Sequence, residues 1–560
     1  MSRGTMLLGV LLLSTARLPA FEELAPEQAW FEQARFGMFI HWGAYSLRGV
    51  EASWPLFSGQ VPREEYEALP ARFDPTQFDA RAVARLAKRA GMKYLILTSK
   101  HHDGFAMFDT KLSDYSIAHA PYGRDICRMM MDAARAEGLR VGFYFSLCDW
   151  HHPDYMTAQP TGDPGPGLLP LELDPARWER FVRFMHGQVR DLCTNYGKLD
   201  VMWFDGGWER TAEQWKSEGL HAMIRELQSP ILINNRGSGG FGDYATPEQT
   251  VPGRGMSGPW ETCMTINGTW AYNPNDRNFK SADDLLTVLA STASGGGNLL
   301  LNVGPMPTGE IQPEFVERLE AMGRWLAVNG ASIYGTDAGP PRMSPENRVT
   351  MAKRRLYVHL LAPPEDGKLV LHALRNEVLD AHLLSTKQAL GVSRAGDEVT
   401  VDLSGLSGDL KHEVVVVRFS GDLDASEVFE AGADGVVSLA ARDVTAHGRA
   451  VCYQEGYDDI GCWWELGDWV SWKVRVAREG DCDVVVNQGA PPGQGGTYVL
   501  YVGDQGVLAT VTETTGWTDY REVTVGRVHL KPGVHELSLR PHALKAFALM
   551  NVKWVKLVPR

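Results

Sequence analysis

The sequence predicts an α/β fold, a (β/α)8-like barrel followed by two all-β sandwich domains. Three observations carry this expectation. Between about residues 30 and 340, short apolar runs rich in β-branched and aromatic residues alternate with amphipathic stretches of helical period. Nearly every one of those apolar runs ends in a polar residue. After about residue 340 the helical period disappears, and only β runs parted by Gly, Pro and Asp turns remain.

The elements follow in order. Residues 1–20 read as a secretory leader: Arg3 supplies charge, 6–13 an apolar run too short to span a bilayer, and Ala16 and Ala20 small residues for cleavage. The barrel is expected over 21–340, with strands at 37–41, 94–98, 141–146, 201–204, 231–234 and 298–303. Helices are expected at 80–90, 126–137, 175–196 and 212–228. A closing helix starts at Pro313, repeats Phe315, Leu319, Met322 and Trp325 on one face, and stops at Gly330. A β-sandwich is expected over 341–435, from runs at 356–361, 368–371, 399–403 and 414–419. A second all-β unit of different, tryptophan-rich content is expected over 436–560.

Strand ends are where a barrel presents its chemistry. Here they carry His41, His101 and His102, Ser146, Asp205, Asn234, Asn235 and Arg236, and Asn302. A doubly wound sheet gathers only the strand ends at its switch point, so a ring of polar ends favours the barrel.

Bulk properties narrow the function. A chain of 560 residues is too long for one core and calls for roughly two to four domains. A formal charge of −14 excludes a nucleic-acid binder, whose partner would be repelled. No other segment is apolar enough to read as a membrane span. The seven cysteines show neither CxxC nor zinc spacing, and their odd number leaves at least one thiol free. Cys452, Cys462 and Cys482 are candidates for one disulfide, with no pair preferred. Seventeen tryptophans are a heavy load, and flat aromatic faces that pack on sugar rings are one use for it.

The most informative stretch is Val201-Met-Trp-Phe-Asp205-Gly-Gly-Trp208. A buried strand delivers one acid to its tip, with Trp203 and Trp208 beside it. Hydrolysing a glycoside with retention takes two carboxyl groups, a nucleophile and an acid that later acts as base. Asp205 is the nucleophile candidate. For the second group, Glu248 lies in a Gly-rich loop where apolar neighbours would keep its proton near neutrality. Glu261 sits in a tighter apolar run and serves equally to hold Arg236 or a sugar hydroxyl. His41, His101 and His102 read as hydroxyl-binding imidazoles rather than metal ligands, since adjacent histidines in a strand face opposite ways and only a bend at the strand end brings both to one site. Gly295–Gly297 precede a strand and no Lys-Ser/Thr follows, so they are not a phosphate loop. Asn267-Gly-Thr269 matches a glycosylation sequon.

Taken together, these motifs are similar to a known family. Residues 25 to 340 resemble the α-L-fucosidases of glycoside hydrolase family 29, through Arg35-Phe-Gly-Met-Phe-Ile-His-Trp-Gly43, Thr98-Ser-Lys-His-His-Asp-Gly-Phe105, Met202-Trp-Phe-Asp-Gly206, Asn234-Asn-Arg236, Trp260-Glu261 and Gly296-Gly-Asn-Leu-Leu-Leu-Asn-Val-Gly-Pro305. The resemblance implies a retaining exo-glycosidase without a catalytic cofactor or metal, acting on fucosylated oligosaccharides or glycoconjugates. It puts the nucleophile on Asp205 and fucose contacts on His41, Trp54, His101, His102, Tyr144, Trp203 and Arg236, with Glu261 as a further contact or rival acid. Asp243-Tyr-Ala-Thr-Pro-Glu248 looks most like the family's acid/base loop. The chain departs from the family at Ser53, where many members carry glutamate; Glu51 stands nearby. Residues 436–560 resemble jelly-roll carbohydrate-binding modules, through Trp469-Val-Ser-Trp472 and Thr515-Gly-Trp-Thr-Asp-Tyr520, with Trp463, Trp464 and Trp517 as possible sugar platforms. Two other readings stay open at this point: a related α-glycosidase for galactose-configured sugars, and a glycan-binding protein with an inactive barrel.

Overall fold

The structure, a computed structural model, describes residues 23–155, 173–252, 256, 258–340, 342–425, 428–432, 434–448, 450–454 and 456–560. The leader expected at 1–20 lies outside these residues.

The first unit is a curled parallel sheet of seven strands: β1 Phe36–Ile40, β2 Tyr94–Lys100, β3 Arg140–Ser146, β4 Val201–Asp205, β5 Leu232–Ile233, β6 Glu261–Thr265 and β7 Asn298–Val303. Their spatial order is β5-β4-β3-β2-β1-β7-β6. The gap between β5 and β6 is bridged by an irregular stave. Asn234 pairs in parallel with Tyr244, Ala245 with Trp260, and Glu248 with Cys263. The ring therefore closes in chain order, and the stave that closes it carries Glu248.

Six of these strands stand where the sequence placed them, within two residues at each end. β6 was not expected, because Glu261 and two threonines interrupt its apolar residues; all five of its residues are nevertheless buried. Strands this buried read as apolar runs because both faces are covered. Phe39, Ile96, Tyr144, Trp203 and Leu300 fill the barrel interior, and Met38, Leu95, Leu97, Phe143 and Leu301 face the helices.

Four of the helices start at side-chain caps. The α1 helix (Ala80–Arg89) begins at Asp79, whose carboxylate accepts from the backbone of Arg81 and Ala82. The next two, α2 (Ile126–Ala136) and α3 (Pro175–Asn195), begin at Asp125 and Asp174. The helix expected over 212–228 breaks at Lys216, whose left-handed φ of 54° parts Ala212–Trp215 from α4 (Ser217–Gln228). Finally, α5 (Ala282–Ser294) opens with a Ser281–Asp284 capping box, and α6 (Pro313–Asn329) has proline in its first turn.

Beyond the barrel, an antiparallel sheet of eight strands runs from Asp337–Ala338 to Val414–Phe419 around a core that includes Leu356, Leu371, Val401 and Val417. Trp325 of α6 donates to the His412 carbonyl and ties this unit to the barrel. The C-terminal unit is two six-stranded sheets enclosing Trp472, Val486, Leu500, Leu539 and Val555. Cys452 and Cys462 stand side by side there as thiols, across the paired strands Cys452–Gln454 and Asp459–Gly461. Trp463 is core, Trp517 is half-buried against it, and Trp464 is exposed and stacked on Phe547. Among the described residues no helix is long and apolar enough to cross a membrane.

Candidate active site

The polar strand ends converge on one pocket, and Asp205 lies at its base. β4 is buried along its length, and Asp205 pairs with Ser146 of β3 at the last rung. Gly206 then takes a φ of 81°, and a Cβ on Gly207 would stand 2.3 Å from the Arg236 carbonyl oxygen. Glycine is needed at both positions, one for its left-handed φ and one for the close approach of two backbones. Asp205 receives Tyr144 OH at 3.0 Å and Arg236 Nη1 at 3.4 Å. Burial raises its carboxyl above the ordinary aspartate range, while Arg236 and Tyr144 hold it down.

The histidines are fixed from behind. Asn302 gives its amide N–H to the Trp270 carbonyl, so its oxygen faces His41 Nδ1 at 2.7 Å and accepts a hydrogen bond from it. Ser146 donates to the Cys148 carbonyl and accepts from His102 Nδ1 at 2.6 Å. The Nε2 atoms of His41 and His102 are thereby left as acceptors. His102 Nε2 stands 3.7 Å from Asp205 Oδ2. Burial lowers His41 to about 4 and His102 to about 3, and it pushes His101 well below its ordinary value. All three rings are neutral near pH 7, and His102 and Asp205 form no ion pair there. β2 ends at Lys100 and the chain bends, so His101 and His102 both line the pocket. Ser53 holds His101 through Nδ1, and the ring lies flat on Tyr144. The residue that departs from the family thus orients a pocket histidine.

Arg236 joins the two carboxylates. Its Nε and Nη2 are held by the Thr246 hydroxyl and carbonyl, and its guanidinium lies over Trp203, 4.8 Å from the ring centroid. From there Nη1 donates to Glu248 Oε2 at 2.8 Å and to Asp205 Oδ1 at 3.4 Å. Burial opposes the charge on Arg236, but the carboxylates of Glu248 and Asp205 outweigh it and keep it protonated. One nitrogen touching both acids sets those two oxygens no more than about 6 Å apart, on the short side that a double displacement requires. Glu248 does not have the apolar neighbours expected from sequence: its partner is Arg236, and its side chain is 41% exposed.

Trp54 stands edge-on to His102 at the rim. Phe39, Trp208, Cys263 and Trp270 complete the lining. Sequence reasoning missed Trp270, whose ring packs on His41 and whose backbone N–H is held by Glu51. Glu261, expected to touch substrate or to compete as the acid, is fully buried outside the pocket lining. Its oxygens accept from Tyr94 OH and, at 2.9 Å, from Trp203 Nε1. Burial lifts its carboxyl to about 7. It braces the floor rather than facing the ligand. Among the described residues no cluster of His, Cys, Asp and Glu has the arrangement of a metal site. An aromatic pocket with neutral histidines and two acids at one end suits a small polyol ring whose bond to a larger group is to be broken.

Comparison with known proteins agrees with this geometry. The family model described as Alpha-L-fucosidase matches residues 17–331, and that described as Carbohydrate binding module (family 6) matches 441–559. An α-L-fucosidase of Dictyostelium discoideum is 28% identical over 405 residues, 66% of this chain and 85% of that protein. The structure of α-L-fucosidase isoenzyme 1 from Paenibacillus thiaminolyticus is 38% identical, with a TM-score of 0.66, covering 71% of this chain and 99% of that one. A Bacteroides thetaiotaomicron α-L-fucosidase, caught as a covalent intermediate with 2-fluoro-fucosyl fluoride, is 27% identical at a TM-score of 0.66, covering 72% and 98%.

Proposed function

Because the chain belongs to the α-L-fucosidase family, we propose that it removes terminal α-L-fucose from fucosylated glycans with retention, using Asp205 as nucleophile and Glu248 as acid and then base. In the first step Asp205 bonds to the anomeric carbon, the glycosidic C–O bond breaks, and Glu248 gives its proton to the departing oxygen. In the second, Glu248 takes a proton from water, the water oxygen bonds to the same carbon, and the Asp205 ester is released. His41, His101 and His102, neutral and fixed in orientation, read ring hydroxyls; Trp54, Tyr144 and Trp203 enclose the ring, and Arg236 steadies charge between the acids.

The observation that supports this reading most is the single Arg236 nitrogen that touches both carboxylates. A spent glycan-binding barrel gives no reason for that bridge or for the buried supports behind it. The test is proton NMR of the sugar first released from 4-nitrophenyl α-L-fucoside. α-Fucose appearing before the β anomer is expected. β-Fucose appearing first would overturn retention and with it the role of Asp205. Export through the leader at 1–20 is part of the same proposal. It is checked by the N-terminal peptide of the protein recovered outside the cell, which should begin near residue 21.

A further inference from the structure

The acid-bearing stave leads directly into the C-terminal unit. Beyond Glu248, Gln249 N–H donates to the Cys263 carbonyl, the Thr250 carbonyl accepts from Thr262, and Val251 is buried. Pro252 then pairs antiparallel with Gln454, the last residue of the strand Cys452–Gln454. Four residues of extended chain cover at most about 14 Å, so the C-terminal unit begins within a short oligosaccharide's reach of the acid.

The seam on the far side is polar. Gln454 Nε2 reaches Cys462 Sγ at 3.4 Å and its Oε1 accepts from Asn551 at 3.4 Å. Asn551 also donates to Asp459 at 2.7 Å, as does Tyr520. Asp459 is fully buried, and its Oδ1 has no hydrogen-bond partner among the described residues. Yet none of these residues lines the pocket around Asp205.

We propose that the edge of the C-terminal unit around Gln454 walls the leaving-group side of the cleft, so that the barrel reads the fucose and this edge reads the saccharide it is removed from. The proposal rests on the assignment of Glu248 as acid. It makes the Pro252–Gln454 pairing the contact that sets this edge beside the cleft, and gives the appended domain a part in substrate choice.

The experiment compares kcat/KM for a fucosylated trisaccharide and for 4-nitrophenyl α-L-fucoside in Gln454→Ala, Pro252→Gly and the double variant of the full chain. About a tenfold fall on the trisaccharide, with the aryl fucoside held within about twofold, is expected for each single change. The double variant should be no worse than the poorer single one, because both act through one contact. Equal effects on the two substrates, or none on either, would overturn the proposal. Wild-type inactivity on both substrates would instead remove the fucosidase reading on which it rests.

Discussion

The two carboxylates of the pocket are held in opposite ways. Asp205 ends a fully buried strand with paired neighbours, and its oxygens are met by Tyr144 and Arg236. Glu248 sits on the one stave of the ring that is not a regular strand, with its side chain 41% exposed. A nucleophile must meet one carbon at one angle, which a rigid strand tip supplies. An acid must follow leaving groups of different shape, which a looser stave allows. The contrast predicts that changes at Asp205 are felt by every substrate, whereas changes at Glu248 depend on the leaving group.

The largest effect belongs to Asp205→Asn. Turnover should fall by about 10⁴-fold or more on aryl and glycan substrates alike. Thermal unfolding should move by no more than about 1 kcal/mol, since Asn keeps the Tyr144 contact and Arg236 keeps Glu248. Near-normal turnover would break the comparison at its rigid end.

Next comes Glu248→Ala. A loss of about 10²–10³-fold is expected on glycans, much less on fucosides with acidic leaving groups, and added azide should restore turnover as fucosyl azide. Uniform loss across leaving groups, or rescue in Glu261→Ala instead, would exchange the two roles.

The pH profile sharpens the same point. Asp205 must be ionised to attack, and burial raises its pKa, so kcat/KM should hold above that raised value and fall as pH drops through it. Arg236 opposes the rise. Arg236→Met should therefore move the acid limb to higher pH, and a limb that stays still would show that another group sets it.

The smallest effect on chemistry is expected at Glu261→Leu. Trp203 Nε1 and Tyr94 OH lose their buried acceptor, which costs about 1–3 kcal/mol of stability in a denaturant melt, with little change in the leaving-group dependence.

The same contrast governs how much the sequence revealed. The β4 run ending in Asp205, the His41 and His101–His102 strand ends and Arg236 were legible because local pattern alone puts them at barrel tips. The stave around Glu248 has no period to read, and the polar residues of β6 mask a strand that is buried along its length. Glu261 looked functional because a carboxyl in that run has no local partner, and its partners come from β2 and β4. Trp270 was missed because the Glu51 carboxylate that fixes it is 219 residues away in sequence. The break at Lys216 needs a left-handed residue that helix propensity does not announce. Apart from that local break, what stayed hidden was set by long-range contacts.

The most direct test of the central claim is to incubate the protein with 2-deoxy-2-fluoro-fucosyl fluoride, digest it, and locate the added mass by tandem mass spectrometry. The account predicts one fucosyl adduct, on Asp205. An adduct on Glu248, Glu261 or any other carboxylate would contradict it.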